Sequence, residues 1–168
     1  IAFAFAPFAS ERCFEQIRLD VAYAGTNVII VGSEAGVSMG TQGVTHYGWD
    51  DAGAIRTLAG MTVMQPADNL EMVRCIEAAL AMDGPVYIRL SGGKGPVTTI
   101  YNEDVEFEIG KAVVHSVGTD ANIVAAGSVL KLAMDAAELL KAEGISVGVA
   151  DMHTFKPIDE CAIKEMAS

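Results

Sequence analysis

His46 is the residue whose type and setting point most directly to chemistry. It lies in a stretch with five glycines, Gly32, Gly36, Gly40, Gly43 and Gly48, directly after the apolar run 28–31. A short β-branched run bounded by glycine reads as a buried parallel strand. Parallel α/β sheets bind ligands beyond the carboxyl ends of their strands. Glycines there let the loop turn sharply and approach a ligand closely, and histidine is the side chain that gives or takes a proton near neutral pH. A loop histidine more often serves structure than chemistry, so His46 alone decides nothing. Phe5 and Phe8 straddle the end of another apolar strand, 1–5. A flat ring can stack there, although alternating Phe and Ala fit a packed core more simply. The glycines match neither G-x-G-x-x-G nor G-x-x-x-x-G-K-S/T, so a phosphate-cradling loop has little support. Asp68 with Glu71 repeats the capping-box pattern, and a helix cap accounts for it fully. His153 follows a later strand and reads as a surface or interface residue.

Composition narrows the partners. The 168 residues are 51% hydrophobic with a formal net charge of −11. Such a chain builds a core, and its charge argues against nucleic acid or anionic membranes as partners. No apolar stretch reaches the ~18 residues of a membrane span. The apolar run 1–8 lacks a preceding basic segment and makes a poor signal peptide. Cys13, Cys75 and Cys161 are odd in number and far apart, which fits small apolar fillers of a reduced, cytoplasmic protein and neither a disulfide framework nor a metal site. The chain opens inside an apolar stretch and stops one short helix after a strand, so a longer polypeptide is expected.

The elements that position these residues alternate. After the strand 1–5, Ser10 caps a helix over about 11–24 with Phe14, Ile17 and Val21 on one face. The strand 28–31 follows, then a short helix capped by Asp50 or Asp51 and carrying Ile55 and Leu58. A strand at 62–64 precedes a helix from Asp68 to about residue 82, with Leu70, Val73, Ile76 and Leu80 expected inward. The strand 86–90 ends in the glycine-rich stretch 91–96. An acidic stretch, 102–108, reads as an interdomain connection. A second unit then brings strands at 111–115, 121–126 and 145–151, and a helix over 128–143 with Val129, Ala133, Ala136 and Leu140 expected inward. Residues 156–159 cap a last helix. The expected fold class is α/β, with parallel sheets, helices on both faces and right-handed crossovers.

Five segments in order carry a resemblance over almost the whole chain. They are Phe5-Ala6-Pro7-Phe8-Ala9-Ser10-Glu11-Arg12 with Glu15-Gln16-Ile17-Arg18; Ala35-Gly36-Val37-Ser38 with Gly43-Val44-Thr45-His46; Leu58-Ala59-Gly60-Met61 with Pro66-Ala67-Asp68; Gly84-Pro85-Val86-Tyr87-Ile88-Arg89-Leu90; and Lys156-Pro157-Ile158-Asp159. Together they resemble the transketolase family of thiamine diphosphate enzymes, and more narrowly the C-terminal subunit of a split, two-chain transketolase. Deoxyxylulose-phosphate synthases and the β subunits of 2-oxoacid dehydrogenases share the arrangement.

The resemblance implies a pyrimidine-binding domain over 1–105 and part of a transketolase C-terminal domain over 106–168. Thiamine diphosphate would lie against this chain, with its diphosphate and Mg2+ held by an N-terminal, diphosphate-binding partner subunit in a homodimer or heterotetramer. The implied activity is transfer of a two-carbon ketol unit between sugar-like substrates, phosphorylated or not. Phe8 would stack on the aminopyrimidine with Phe5 and Arg12 beside it, and His46 would face the substrate and move protons. The family's pyrimidine-activating glutamate lies upstream of the first strand, outside these residues; Glu11 and Glu15 read as surface or capping residues. Three departures touch the substrate end: Glu34 stands where a histidine is usual, Gln42 where an acid is usual, and Lys94 near the place of a phosphate-binding arginine. They point away from ordinary pentose phosphates. The competing expectations are a β subunit of a 2-oxoacid dehydrogenase or related decarboxylase, and a non-catalytic α/β scaffold.

Overall fold

The computed structural model describes residues 1–92, 98–102 and 105–168. Its first sheet runs β1 (Ala2–Phe5), β2 (Ile29–Ala35), β4 (Val86–Ser91), β3 (Thr62–Met64), β8 (Thr154–Lys156) across its width. β1 to β4 are mutually parallel, and β8 closes the edge antiparallel to β3. β8 is not legible as a strand in the sequence, because three residues at a sheet edge carry no alternating pattern.

Alternation along the strands sends helices to both faces. Ile30, Val63 and Tyr87 point to one side, where Ile17 of α1 (11–23) and Ile55 of α2 (Asp51–Arg56) cover them. Ile29, Val31, Met64, Val86 and Ile88 point to the other, against Cys75 and Ala79 of α3 (Asn69–Ala81). Helix α1 (11–23) is irregular: a 3-10 turn over Glu11–Cys13, one α turn over Phe14–Gln16, then a π-wound stretch over Ile17–Tyr23. Its inward residues Phe14, Ile17 and Val21 are those the periodicity predicts.

Helix α3 meets the expected inward face only in part: Ile76 packs against the core. Glu71, Cys75 and Ala79 are buried, whereas Val73 and Leu80 are exposed. The small Cys and Ala side chains let the helix lie close to the sheet, and Glu71 can be buried because it has partners. In the second unit, β6 (Ala121–Ala125) pairs parallel and β5 (Val113–Ser116) antiparallel to a central β7 (Val147–Asp151), so the sheets are not wholly parallel. α4 (Val129–Ala142) packs Leu130 and Ala133 inward while Val129 is exposed. α5 (Glu160–Met166) is capped as expected, with Asp159 Oδ1 accepting from the N–H groups of Cys161 and Ala162.

A buried acidic junction ties the two units. Asp68 caps α3 by accepting from Glu71 N at 2.9 Å, and its other oxygen accepts from Ile100 N and Tyr101 N. Glu71 reaches back to Ala67 N at 2.6 Å, one residue earlier than a capping box requires. Tyr101 Oη donates to Asp151 at 2.8 Å. Glu71 and Asp151 are buried neighbours whose Oε1 and Oδ1 atoms have no other hydrogen-bond partner among the described residues, and burial followed by the Asp151 charge pushes Glu71 up to about 9. Burial raises Asp151 to about 6. Two fully buried carboxyl groups in contact must hold a proton between them, and Glu71 is the one that keeps it. His153 is buried rather than on the surface; its ring stacks on Phe107 at 4.2 Å, and desolvation lowers it to about 4.

Candidate active site

Phe5 is the last residue of β1, and the chain folds back at once: Phe8 N and Ala9 N both donate to Phe5 O at 2.9 Å. That turn places the two rings together, 5.8 Å between centroids. Arg12, one helical turn later, lays its guanidinium over the Phe8 ring at 4.3 Å from the centroid.

The glycine loop is pinned at its neck. Gly36 N donates to Gly48 O at 2.7 Å and Gly48 N to Gly36 O at 3.0 Å. Between these points lie two short turns, Gly40–Gln42 and Val44–His46. Gly43 joins them with φ of +75°, a conformation that side-chain-bearing residues rarely adopt. Gly48 is needed for a different reason: a Cβ there would stand 2.7 Å from Ala6 Cβ, so only glycine lets the loop neck press against the aromatic segment. The result brings His46 edge-on to both phenylalanines, 5.2 Å from Phe8 and 6.3 Å from Phe5. Arg12 Nη2 donates to Thr45 O at 2.5 Å, and Thr45 Oγ1 and His46 Nδ1 are 2.9 Å apart.

A buried polar network supports the loop. Asp51 is fully buried and accepts from Tyr87 Oη at 2.8 Å and from Arg89 Nε at 2.9 Å. Arg89 also donates to Gln65 Oε1 and to Gly48 O, both at 3.0 Å, so one side chain of β4 holds α2, β3's end and the loop neck. The sequence alone marks Asp51 only as a candidate cap. The signal available was Arg89 in an otherwise apolar strand, since a largely buried guanidinium needs an anion.

Four of the expected site residues therefore form one cluster: Phe5, Phe8, Arg12 and His46. Arg12 spends its guanidinium on Phe8 and Thr45. Glu34 ends in a different setting, with φ of +55° and its carboxylate accepting from Ser38 Oγ at 3.1 Å. Gly92 crosses so close that a Cβ on it would meet the Glu34 carboxylate at 1.9 Å. Gln42 is exposed on the first turn of the loop. Lys94 lies outside the described residues. Glu11 accepts from Ser10 Oγ and Glu15 pairs with Arg18, so both have the local roles expected of them. Beside the site, between the two units, lies a cleft of about 680 Å³ lined by Ala35, Ser38, Gln65, Arg89, Gly92 and Ser128.

A flat, largely apolar heterocycle suits the cluster: two half-open rings, a histidine at their edge, and a glycine-rich rim that admits close approach. Among the described residues, no three His, Cys, Asp or Glu side chains are grouped to hold a metal ion, and no helix is long and apolar enough to cross a membrane. The three cysteines are unpaired.

Comparison with known proteins shows the family. Residues 1–97 match the profile of the transketolase pyrimidine binding domain, and residues 110–168 that of the transketolase C-terminal domain. The chain is 42% identical over 163 residues to a 6-deoxy-6-sulfo-D-fructose transketolase subunit from a Clostridium species, covering 97% of this chain and 50% of that one. It is 37% identical over 161 residues to an apulose-4-phosphate transketolase subunit from Phocaeicola vulgatus, covering 95% and 51%. A solved structure described as a split gene transketolase, inactive beta4 tetramer, superposes with a TM-score of 0.87 at 38% identity, over 99% of this chain and 53% of that one. The chain thus spans about half the length of the relatives it matches.

Proposed function

We propose that this chain, which belongs to the transketolase family, supplies the pyrimidine side of a thiamine diphosphate site and works in transfer of a two-carbon ketol unit between sugar-like substrates. The observation that carries the reading is the convergence of Phe5, Phe8 and His46 within 6.3 Å, centroid to centroid, on one rim. Bound thiamine diphosphate supplies a thiazolium carbon nucleophile and an electron sink. The residues of this chain do the rest of the work on their side. Phe8, with Phe5 beside it, packs against the aminopyrimidine and excludes water. Arg12 stiffens that wall by covering Phe8 and tying it to the loop. His46 moves a proton at the substrate.

The diphosphate and Mg2+ fall to an N-terminal partner subunit, as the family resemblance implies. A homodimer or heterotetramer in the cytoplasm is the assembly proposed, and the relatives named as transketolase subunits support a partnered enzyme. At the substrate end, Glu34, whose carboxylate accepts from Ser38 Oγ, Gln42 and Lys94 are the positions assigned to substrate contact.

The test is reconstitution of the complete polypeptide with a diphosphate-binding subunit. Ketol transfer should require both thiamine diphosphate and Mg2+. Replacing His46 with Ala should lower kcat by ~100- to 10,000-fold, the usual worth of a positioned proton-transfer group, with little change in cofactor affinity. Full turnover by the His46→Ala enzyme would remove that residue from the reaction. Strict dependence on a lipoyl acyltransferase would move the chain to the 2-oxoacid dehydrogenases.

A further inference from the structure

We infer that Thr45 is a positioning residue that sets the tautomer of His46 and so decides which ring nitrogen works. The inference rests on the proposed role of His46. It starts from two distances: Thr45 Oγ1 lies 2.9 Å from His46 Nδ1 and 3.5 Å from Gln42 O. A hydroxyl has one proton to donate. The carbonyl of Gln42 is too far to hold it well, whereas Nδ1 is at ordinary hydrogen-bond length. On this reading the hydroxyl proton goes to Nδ1 rather than to the more distant Gln42 O, and Nδ1 is unprotonated to receive it. The neutral ring then carries its own proton on Nε2.

Thr45 is itself held in place. Arg12 Nη2 donates to its carbonyl while the same guanidinium rests on Phe8, and His46 N donates to Gly43 O at 2.9 Å to close the turn. The hydroxyl is thus aimed by its backbone on one side and by the aromatic wall on the other. A ring with Nδ1 engaged presents Nε2–H outward as donor; when Nε2 gives that proton up, Nδ1 takes the Thr45 hydroxyl proton and solvent replaces it at the exposed Thr45, so the ring stays neutral. The assignment extends the site beyond the residues that a substrate would touch.

The experiment uses the complete polypeptide assembled with its diphosphate-binding partner, with histidine labelled at the ring nitrogens. In the wild type, the His46 nitrogen spectrum should show Nε2 protonated and Nδ1 as a hydrogen-bonded acceptor. Thr45→Val, which keeps the shape and removes the hydroxyl, should shift the Nδ1 signal and lower kcat ~2- to 10-fold with KM nearly unchanged, the loss of one well-placed hydrogen bond. Thr45→Ser should restore both. A wild-type spectrum with Nδ1 protonated would overturn the inference, and so would Thr45→Val with unaltered His46 nitrogens. The spectra do not depend on turnover: an assembly with the expected spectra and no thiamine-dependent transfer would refute the proposed reaction and leave the role of Thr45 standing.

Discussion

Arg89 shows how much one side chain can position. It donates to Asp51, Gln65 and the neck of the histidine loop at once. Replacing Arg89 with Met keeps the apolar stem and removes the charge, leaving the Asp51 carboxylate buried with Tyr87 as its remaining partner. Loss of one member of a buried pair costs about 3–5 kcal/mol, which urea unfolding will read directly. Hydrogen exchange should also quicken across residues 36–48, because Gly48 O loses its clamp. At this scale the sequence was informative where chemistry demands a particular side chain. His46 among glycines and Phe5 with Phe8 at a strand end could both be picked out, and they do meet. Asp51 could not be told from Asp50 as the important acid, because adjacent residues share every local pattern and only the tertiary approach of Tyr87 and Arg89 separates them. Nor could the ties of Arg12 to Thr45 be foreseen, since they join positions 33 residues apart.

Helix α3 carries the clearest energetic signature of an element. Its start was readable from Asp68 and Glu71, but its buried face only in part, through Ile76. The periodicity argument follows the largest apolar side chains, whereas the helix buries Glu71, Cys75 and Ala79. A buried glutamate becomes acceptable only when Asp151, from the far end of the chain, comes to share its proton. That sharing has a pH consequence. Glu71 is raised from 4.5 to about 9, so the folded chain holds a proton that the unfolded chain has released. Stability from this group is complete below about pH 4.5 and is lost as pH rises towards 9, with a slope of at most about 1.4 kcal/mol per pH unit. Asp151 acts in the same direction between its ordinary 3.8 and about 6. His153, lowered from 6.5 to about 4, acts oppositely below 6.5. The window from 6.5 to 9 therefore isolates Glu71 among these three groups. Unfolding free energy should fall across it in the wild type, and Glu71→Gln, a neutral donor of the same shape, should flatten the decline. An unchanged slope in the variant would place the proton elsewhere.

Across the whole molecule, the two units are interlocked rather than strung together. β8 leaves the second unit to close the edge of the first sheet, Asp68 grips the connection at Ile100 and Tyr101, and Glu71 meets Asp151. The alternating strands and helices made the α/β class legible, because hydrophobic periodicity is a local property. The antiparallel partners β5 and β8 were hidden, because pairing direction at a sheet edge is set by distant contacts. The central claim concerns the rim where β1 and the glycine loop meet, and the direct measurement is a thiamine diphosphate titration of the assembled enzyme with Phe8 or with Phe8→Ala. Stacking of a ring on an aromatic side chain is worth ~1–3 kcal/mol, so the account predicts affinity lower by ~10- to 100-fold in the variant with its fold intact. Equal affinity in the two proteins would contradict it.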